Sequence, residues 1–161
     1  PSLIKRMAIL TAEVIGKFDD KGNADKLVYT PIGGDCTYQK TRVYSIDYQG
    51  ASNDAEEFVT DTLVDRYAEE VSFAGGSLID GFAFFIDYGM KPGALDLERE
   101  AILSSHRGAR DRSIEIISLK ITQRIYIFSG EGAVPDRFIR DICNSAIHVW
   151  SVTEANDRDV A

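Results

Sequence analysis

The chain has 161 residues, 44% of them apolar, and a net charge of −8 from 26 acidic and 18 basic side chains. This length suits one ordinary domain or two small lobes sharing a core. No apolar run approaches the roughly 20 residues of a membrane helix, nothing resembles a signal peptide, and the acidic balance argues against a nucleic-acid surface, which needs concentrated Lys and Arg. Two distant cysteines, Cys36 and Cys143, form neither a disulfide framework nor a zinc site, so a cytoplasmic protein with buried thiols is expected.

Pro1 and Ser2 stand before a helical pattern without an initiating Met, which reads as a fragment or domain of a longer protein. Residues 2–15 carry Leu3, Met7, Leu10 and Val14 at a three-to-four spacing, which predicts a helix ended by Gly16. Residues 17–37 are rich in turn formers around Leu27-Val28-Tyr29, a short strand inside a long excursion. Tyr38 to Tyr48 is β-rich and predicts a longer strand closed by Gly50. Ser52 or Asn53 caps a helix from Asp54 to about Arg66, and Tyr67 to Phe73 returns as a strand.

Leu78 to Tyr88, with Phe82, Phe84, Phe85 and Ile86, predicts a buried strand. A turn at Gly89 to Gly93 leads to a helix capped by Asp96 and running to about His106. Ile114–Leu119 and Thr122–Phe128 alternate as two strands joined by a bend near Lys120. Pro135 opens a helix to Cys143, and Ile147–Val152 forms the last strand. The order strand, helix, strand, strand, helix, strand is the ferredoxin-like βαββαβ unit.

The chain also repeats itself. Arg42-Val43-Tyr44 with Gly50 returns as Arg124-Ile125-Tyr126 with Gly132 at an offset of 82, and Phe58-Val59-Thr60-Asp61 returns as Phe138-Ile139-Arg140-Asp141 at 80. The expected architecture is therefore α+β: two tandem units packed as a pseudo-dimer, with residues 1–76 as an incomplete first unit lacking its opening strand, 77–154 as the second, and 155–161 as a tail. A sheet without that strand would expose an edge, so self-association through it is expected.

Among the chemistry-bearing residues, Gly130-Glu131-Gly132 lacks the glycines and Lys of a phosphate loop. His106 and His148 have no partner at metal spacing, and Asp80 and Asp87 lie seven apart, on opposite faces of a strand. Cys36 beside Gly33-Gly34 reads as a turn before a strand rather than an activated thiol. Arg42 and Arg124, at equivalent repeat positions, suit either a cationic patch for a carboxylate or phosphate or cross-strand pairing with acidic neighbours.

Lys91-Pro92-Gly93-Ala94-Leu95-Asp96, after an apolar strand and before a helix with Ala101-Ile102, resembles the Lys-Pro-Gly-x-x-Asp signature of PurS, the small subunit of phosphoribosylformylglycinamidine synthase. The following strands, Asp141-Ile142-Cys143 and Asn144-Ser145-Ala146-Ile147 extend the resemblance over residues 80–153. The tandem form is similar to the fused PurS dimer at the amino terminus of large single-chain synthases. The resemblance implies a non-catalytic part of that ligase in purine biosynthesis, bridging the synthase and glutaminase parts and helping to enclose the ammonia route. It implies no catalytic, cofactor or metal residue here, with ATP and magnesium in the partner domain, and a structural role for Lys91, Pro92, Gly93 and Asp96. The rival is an ACT-type ligand-binding regulatory module of the same fold; a small ferredoxin-like enzyme is a third reading.

Overall fold

A computed structural model describes residues 7–128 and 133–155. They form one seven-stranded sheet in which every ladder is antiparallel. The elements are β1 (Ala8–Gly16), β2 (Gly22–Asn23), β3 (Thr37–Gln49), α1 (Ser52–Phe58, continued by a π-helical turn Val59–Leu63), β4 (Glu69–Ser72), β5 (Phe84–Met90), α2 (Leu97–Gly108), β6 (Glu115–Phe128), α3 (Pro135–Ile142) and β7 (His148–Glu154). Across the sheet the order is β4-β1-β3-β6-β5-β7, with β2 paired to β3 on the side. The α+β class expected from the sequence is therefore what the chain adopts.

The largest correction is at the start. The predicted helix over residues 2–15 is a strand from Ala8 onward, inserted between β3 and β4. Leu10, Ala12 and Val14, a period of two, are buried, whereas Met7 and Ile9 are 58% and 71% exposed. The three-to-four spacing of Leu3, Met7, Leu10 and Val14 imitated a helix, but β-branched Ile9, Thr11, Val14 and Ile15 suit a pleated strand gripped from both sides. β3 flanks this strand along Ala8–Val14 and β4 along Glu13–Gly16, so the side of Ala8–Ala12 away from β3 has no paired strand among the described residues.

The second correction concerns the predicted hairpin at Lys120. Glu115 to Phe128 is one strand, paired with β3 along its whole length, with one bulge opposite the Asp47/Tyr48 step. Neither Lys120 nor Ile121 is a turn former, and Leu119, Ile121, Ile125 and Ile127 all face the helices on the same alternation. The second half is thus strand, helix, strand, helix, strand. In the excursion, Leu27-Val28-Tyr29 is not a strand; a 3₁₀ turn over Ala24–Leu27 is capped by the Asn23 side chain, and Gly22–Asn23 does the pairing. Residues 78–83, read as the start of the apolar strand, are a linker that crosses the back of the sheet before β5 begins.

The helices lie on one face. Beneath α1 and α2 the core holds Leu10, Ala12, Val14, Tyr44, Ile46, Val59, Leu119 and Ile121; beneath α3 it holds Phe84, Ile86, Ile125, Ile127 and Phe138. On the opposite face Ile79 and Phe82 of the linker cover Phe85, Tyr126 and Phe128. Among the described residues no helix is long and apolar enough to cross a membrane.

Candidate functional site

The two repeat arginines sit at the middle of the sheet. Arg42 opposes Gln123 and Thr41 opposes Arg124 across β3 and β6. Opposed residues share a face and consecutive residues alternate, so Arg42 and Arg124 point to opposite faces. A twofold axis normal to an antiparallel pair relates residues by the separation of opposed partners, which is odd here: 81 for Arg42 and Gln123, 83 for Thr41 and Arg124. The even offset of 82 that aligns the sequences is one residue out of step with the sheet. The two arginines therefore make no common cationic patch.

Each is instead held by carboxylates. On the helix-bearing face Arg42 donates to Glu69 through both terminal nitrogens, to the Leu63 carbonyl at 2.8 Å, and through Nε to the Tyr44 hydroxyl at 2.7 Å. It ties the end of the π-helical turn to the start of β4. On the back face Arg124 grips Asp87 at 2.7 and 3.1 Å, Glu13 at 2.9 Å and the Gly76 carbonyl at 2.8 Å, while its guanidinium lies 4.3 Å from the Phe85 ring centre.

Glu13, 5% exposed, is the hub of this network. It accepts from Thr41 Oγ1 at 2.7 Å, from the Leu78 amide at 2.9 Å, from Arg124 and from the Tyr126 hydroxyl. Its four donors come from β3, β6 and the linker. Burial, then the bond to Glu13, pushes the Tyr126 phenol well above its ordinary range. Sequence reasoning missed this hub because Glu13 lay within a segment read as an amphipathic helix; the period-two signal of Leu10, Ala12 and Val14 would have placed it on the opposite face, with Ile9, Thr11 and Ile15.

The Lys91-Pro92-Gly93 corner is built as its residues suggest. The Lys91 amide donates to the Ile147 carbonyl at 2.8 Å, the Ala94 amide closes a turn on the Lys91 carbonyl at 3.0 Å, and Gly93 has φ of +87°, a region glycine enters without strain. Asp96 then caps α2, its Oδ1 accepting from the Arg99 amide at 3.0 Å. Pro92 and Gly93 are exposed, and Leu95 and Leu97 project beside them at 67% and 72% exposure.

A concavity of about 410 Å³ lies between α1 and the end of α2 and is lined by Asp54, Glu57, Phe58, Asp61, His106 and Arg112 among others. His106 is 9% exposed; its Nε2 lies 3.1 Å from the Ile114 carbonyl, which can only accept, so Nε2 carries a proton. Its ring meets Phe58 edge-on at 5.1 Å. Asp61 is engaged by Arg66.

His148 does not line that cleft and uses Nδ1 to accept from the Asn144 amide at 3.0 Å. Burial, and secondarily Asp25, pushes the Cys36 thiol up, and burial does the same to Cys143, so neither thiol is activated. Among the described residues no group of three or more His, Cys, Asp and Glu side chains is placed to hold a metal ion. The Gly130-Glu131-Gly132 segment lies outside the described residues. No protein-family model, curated protein or solved structure matches this chain.

Proposed function

We propose that this chain is the PurS-like structural part of phosphoribosylformylglycinamidine synthase, a non-catalytic bridge between synthase and glutaminase parts that helps to enclose the ammonia route. The observation that carries the reading is the sheet order. Read from either end inward, β4-β1-β3 and β7-β5-β6 repeat the same arrangement: the last strand of the half outside, its opening strand in the middle, its long strand at the centre. A fused pair of small units would give this pattern, with the sequence repeat slipped by one residue. Val59 of the π-helical turn and Phe138 of α3 are both fully buried and would be counterparts on this reading.

Further support comes from the Lys91-Pro92-Gly93 corner and the Asp96 cap, which serve the fold rather than a reaction. Arg42 and Arg124, the strongest cations at the centre, are used up in ion pairs. ATP, magnesium and the catalytic groups would on this reading belong to other domains, and the chain would work in the cytoplasm.

The test is genetic and biochemical. A bacterial strain deleted for its own small subunit should grow without added purine when supplied with this chain and its companion synthase and glutaminase parts, and the three should co-purify. The isolated chain should not turn over ATP with formylglycinamide ribonucleotide. Absence of both rescue and co-purification, or turnover by the chain alone, would sink the proposal. The cleft lined from α1 of one half and α2 of the other favours the second reading, an ACT-type module; calorimetry with a panel of free amino acids would detect such binding.

A further inference from the structure

Sheet edges expose unpaired amides and carbonyls, and proteins blunt them with short strands, charged residues, bulges or proline. Among the described residues four flanks of this sheet lack a neighbouring strand: the outer side of β4, the side of β1 before Glu13, past the end of β4, the outer side of β7, and the side of β6 before Gln123, where β5 has turned away. β4 is only four residues long and begins Glu69-Glu70. The free flank of β6 carries Glu115, Lys120 and the bulge. β7 carries its one carboxylate, Glu154, only at its end. Its seven residues, His148-Val149-Trp150-Ser151-Val152-Thr153-Glu154, contain no Lys, Arg or Pro, and their register against β5 is unbroken. Ile147 and Val149 are each 39% exposed and Trp150 41%.

The backbone of β7 is oriented to accept a further strand. The Lys91 amide donates to the Ile147 carbonyl and the Ala155 amide to the Ala83 carbonyl, so odd-numbered residues turn their backbone groups toward β5. Trp150 and Val152, the even positions between them, turn theirs outward.

The sequence of this edge is complementary to itself. A second copy laid antiparallel with Ser151 facing Ser151 sets Trp150 against Val152, Val149 against Thr153 and His148 against Glu154, each twice about a twofold axis normal to the sheet. Trp150 and Val152 then exchange their outward N–H and C=O groups across the junction.

We propose that β7 is a homodimerisation edge, joining the sheets of two copies into one continuous sheet through antiparallel β7–β7 pairing centred on Ser151. One strand pair covers less than the roughly 1,200 Å² of a standard stable interface, so the dimer should be weak and concentration-dependent. The scaffold role proposed above does not depend on this edge.

Sedimentation of the full 161-residue chain should move from monomer toward dimer between about 1 and 200 μM, a range set by the small contact area. Ser151→Lys, at an exposed position, sets two ammonium groups against each other at the axis; it should keep the chain monomeric throughout while leaving its melt at low concentration unchanged. In a Cys143→Ser background, Ser151→Cys should cross-link two copies on mild oxidation. Its Cα atoms would lie about 4.5 Å apart, as in other non-hydrogen-bonded antiparallel pairs, which is within disulfide reach. Val149→Cys, on the same face but opposed to Thr153, should cross-link at least tenfold more slowly. A wild-type chain monomeric at the highest concentration, a dimer indifferent to Ser151→Lys, or equal cross-linking at positions 149 and 151 would each overturn the proposal.

Discussion

Arg42 and Arg124 occupy matching places in the repeated sequence and do different work. Arg42 stands under the helices and closes a local corner, joining the turn after α1 to the strand that follows it, with side chains of Arg42 and Glu69 still 25% and 19% exposed. Arg124 stands on the bare face and joins three distant segments: β1 through Glu13, β5 through Asp87 and the linker through Gly76. Its own exposure is 11% and that of Glu13 6%. A residue kept in register with its sequence partner can thus change face, and with it from a local brace to a long-range one, when the strand pairing is shifted by a single position.

Removal of the more buried brace should cost most. Arg124→Met leaves Glu13 and Asp87 without their cation, and breaking a buried pair by deleting one partner costs about 3–5 kcal/mol. Urea titration should show this as a lowered midpoint. Arg42→Met should cost less, about 2 kcal/mol, the scale of hydrogen bonds to a charged group at a partly solvated site. A larger loss for Arg42 than for Arg124 would reverse the comparison.

The same two sites should differ in their response to pH. The hydrogen bond from Arg42 holds the Glu69 carboxyl below its usual range despite some desolvation. That contribution is present above the unfolded value of about 4.3 and is lost as pH falls through the lowered folded value; in Arg42→Met the acid loss of stability attributable to this carboxyl should shrink to what the Asp65 amide bond sustains. At the other extreme, burial raises both Tyr44 and Tyr126, with the Glu13 bond adding to the rise for Tyr126 and Arg42 opposing it for Tyr44. A raised phenol contributes stability below about pH 10 that is lost as pH climbs beyond the unfolded value. Absorbance titration at alkaline pH should find Tyr126 ionising later than Tyr44, and Tyr126→Phe should remove the last phase.

The smallest effect should come from the signature corner. An added Cβ at Gly93 meets nothing within 4 Å, so Gly93→Ala carries only the cost of a positive φ, about 1 kcal/mol. Thermal melts should place it well below either arginine substitution. A loss as large as that of Arg124→Met would mean the corner bears tertiary load that the arginines do not.

What could be read from the residues alone was largely local chemistry. Asp96 was expected to cap a helix and does, because a carboxylate before a free helix start has one nearby use; Pro135 and the β-rich run from Tyr38 to Tyr48 were legible for similar reasons. The turn at Lys91-Pro92-Gly93 followed from a fixed φ beside a permissive one. The faces could not be read. Residues 8–16 satisfy a helical and a strand period at once, and only the two neighbours that hydrogen-bond to both flanks of that segment made it a strand. The predicted bend at Lys120 gave way to a continuous strand because β3 offered a partner along the whole length of β6. The sequence repeat aligns Arg42 with Arg124 but does not give their faces, since a match in sequence is indifferent to a one-residue slip whereas an antiparallel ladder turns that slip into a change of face. Local propensity acts through neighbours in the chain; register acts through neighbours in space, and it was register that buried Glu13 beside Arg124 and sent Arg42 to the other side.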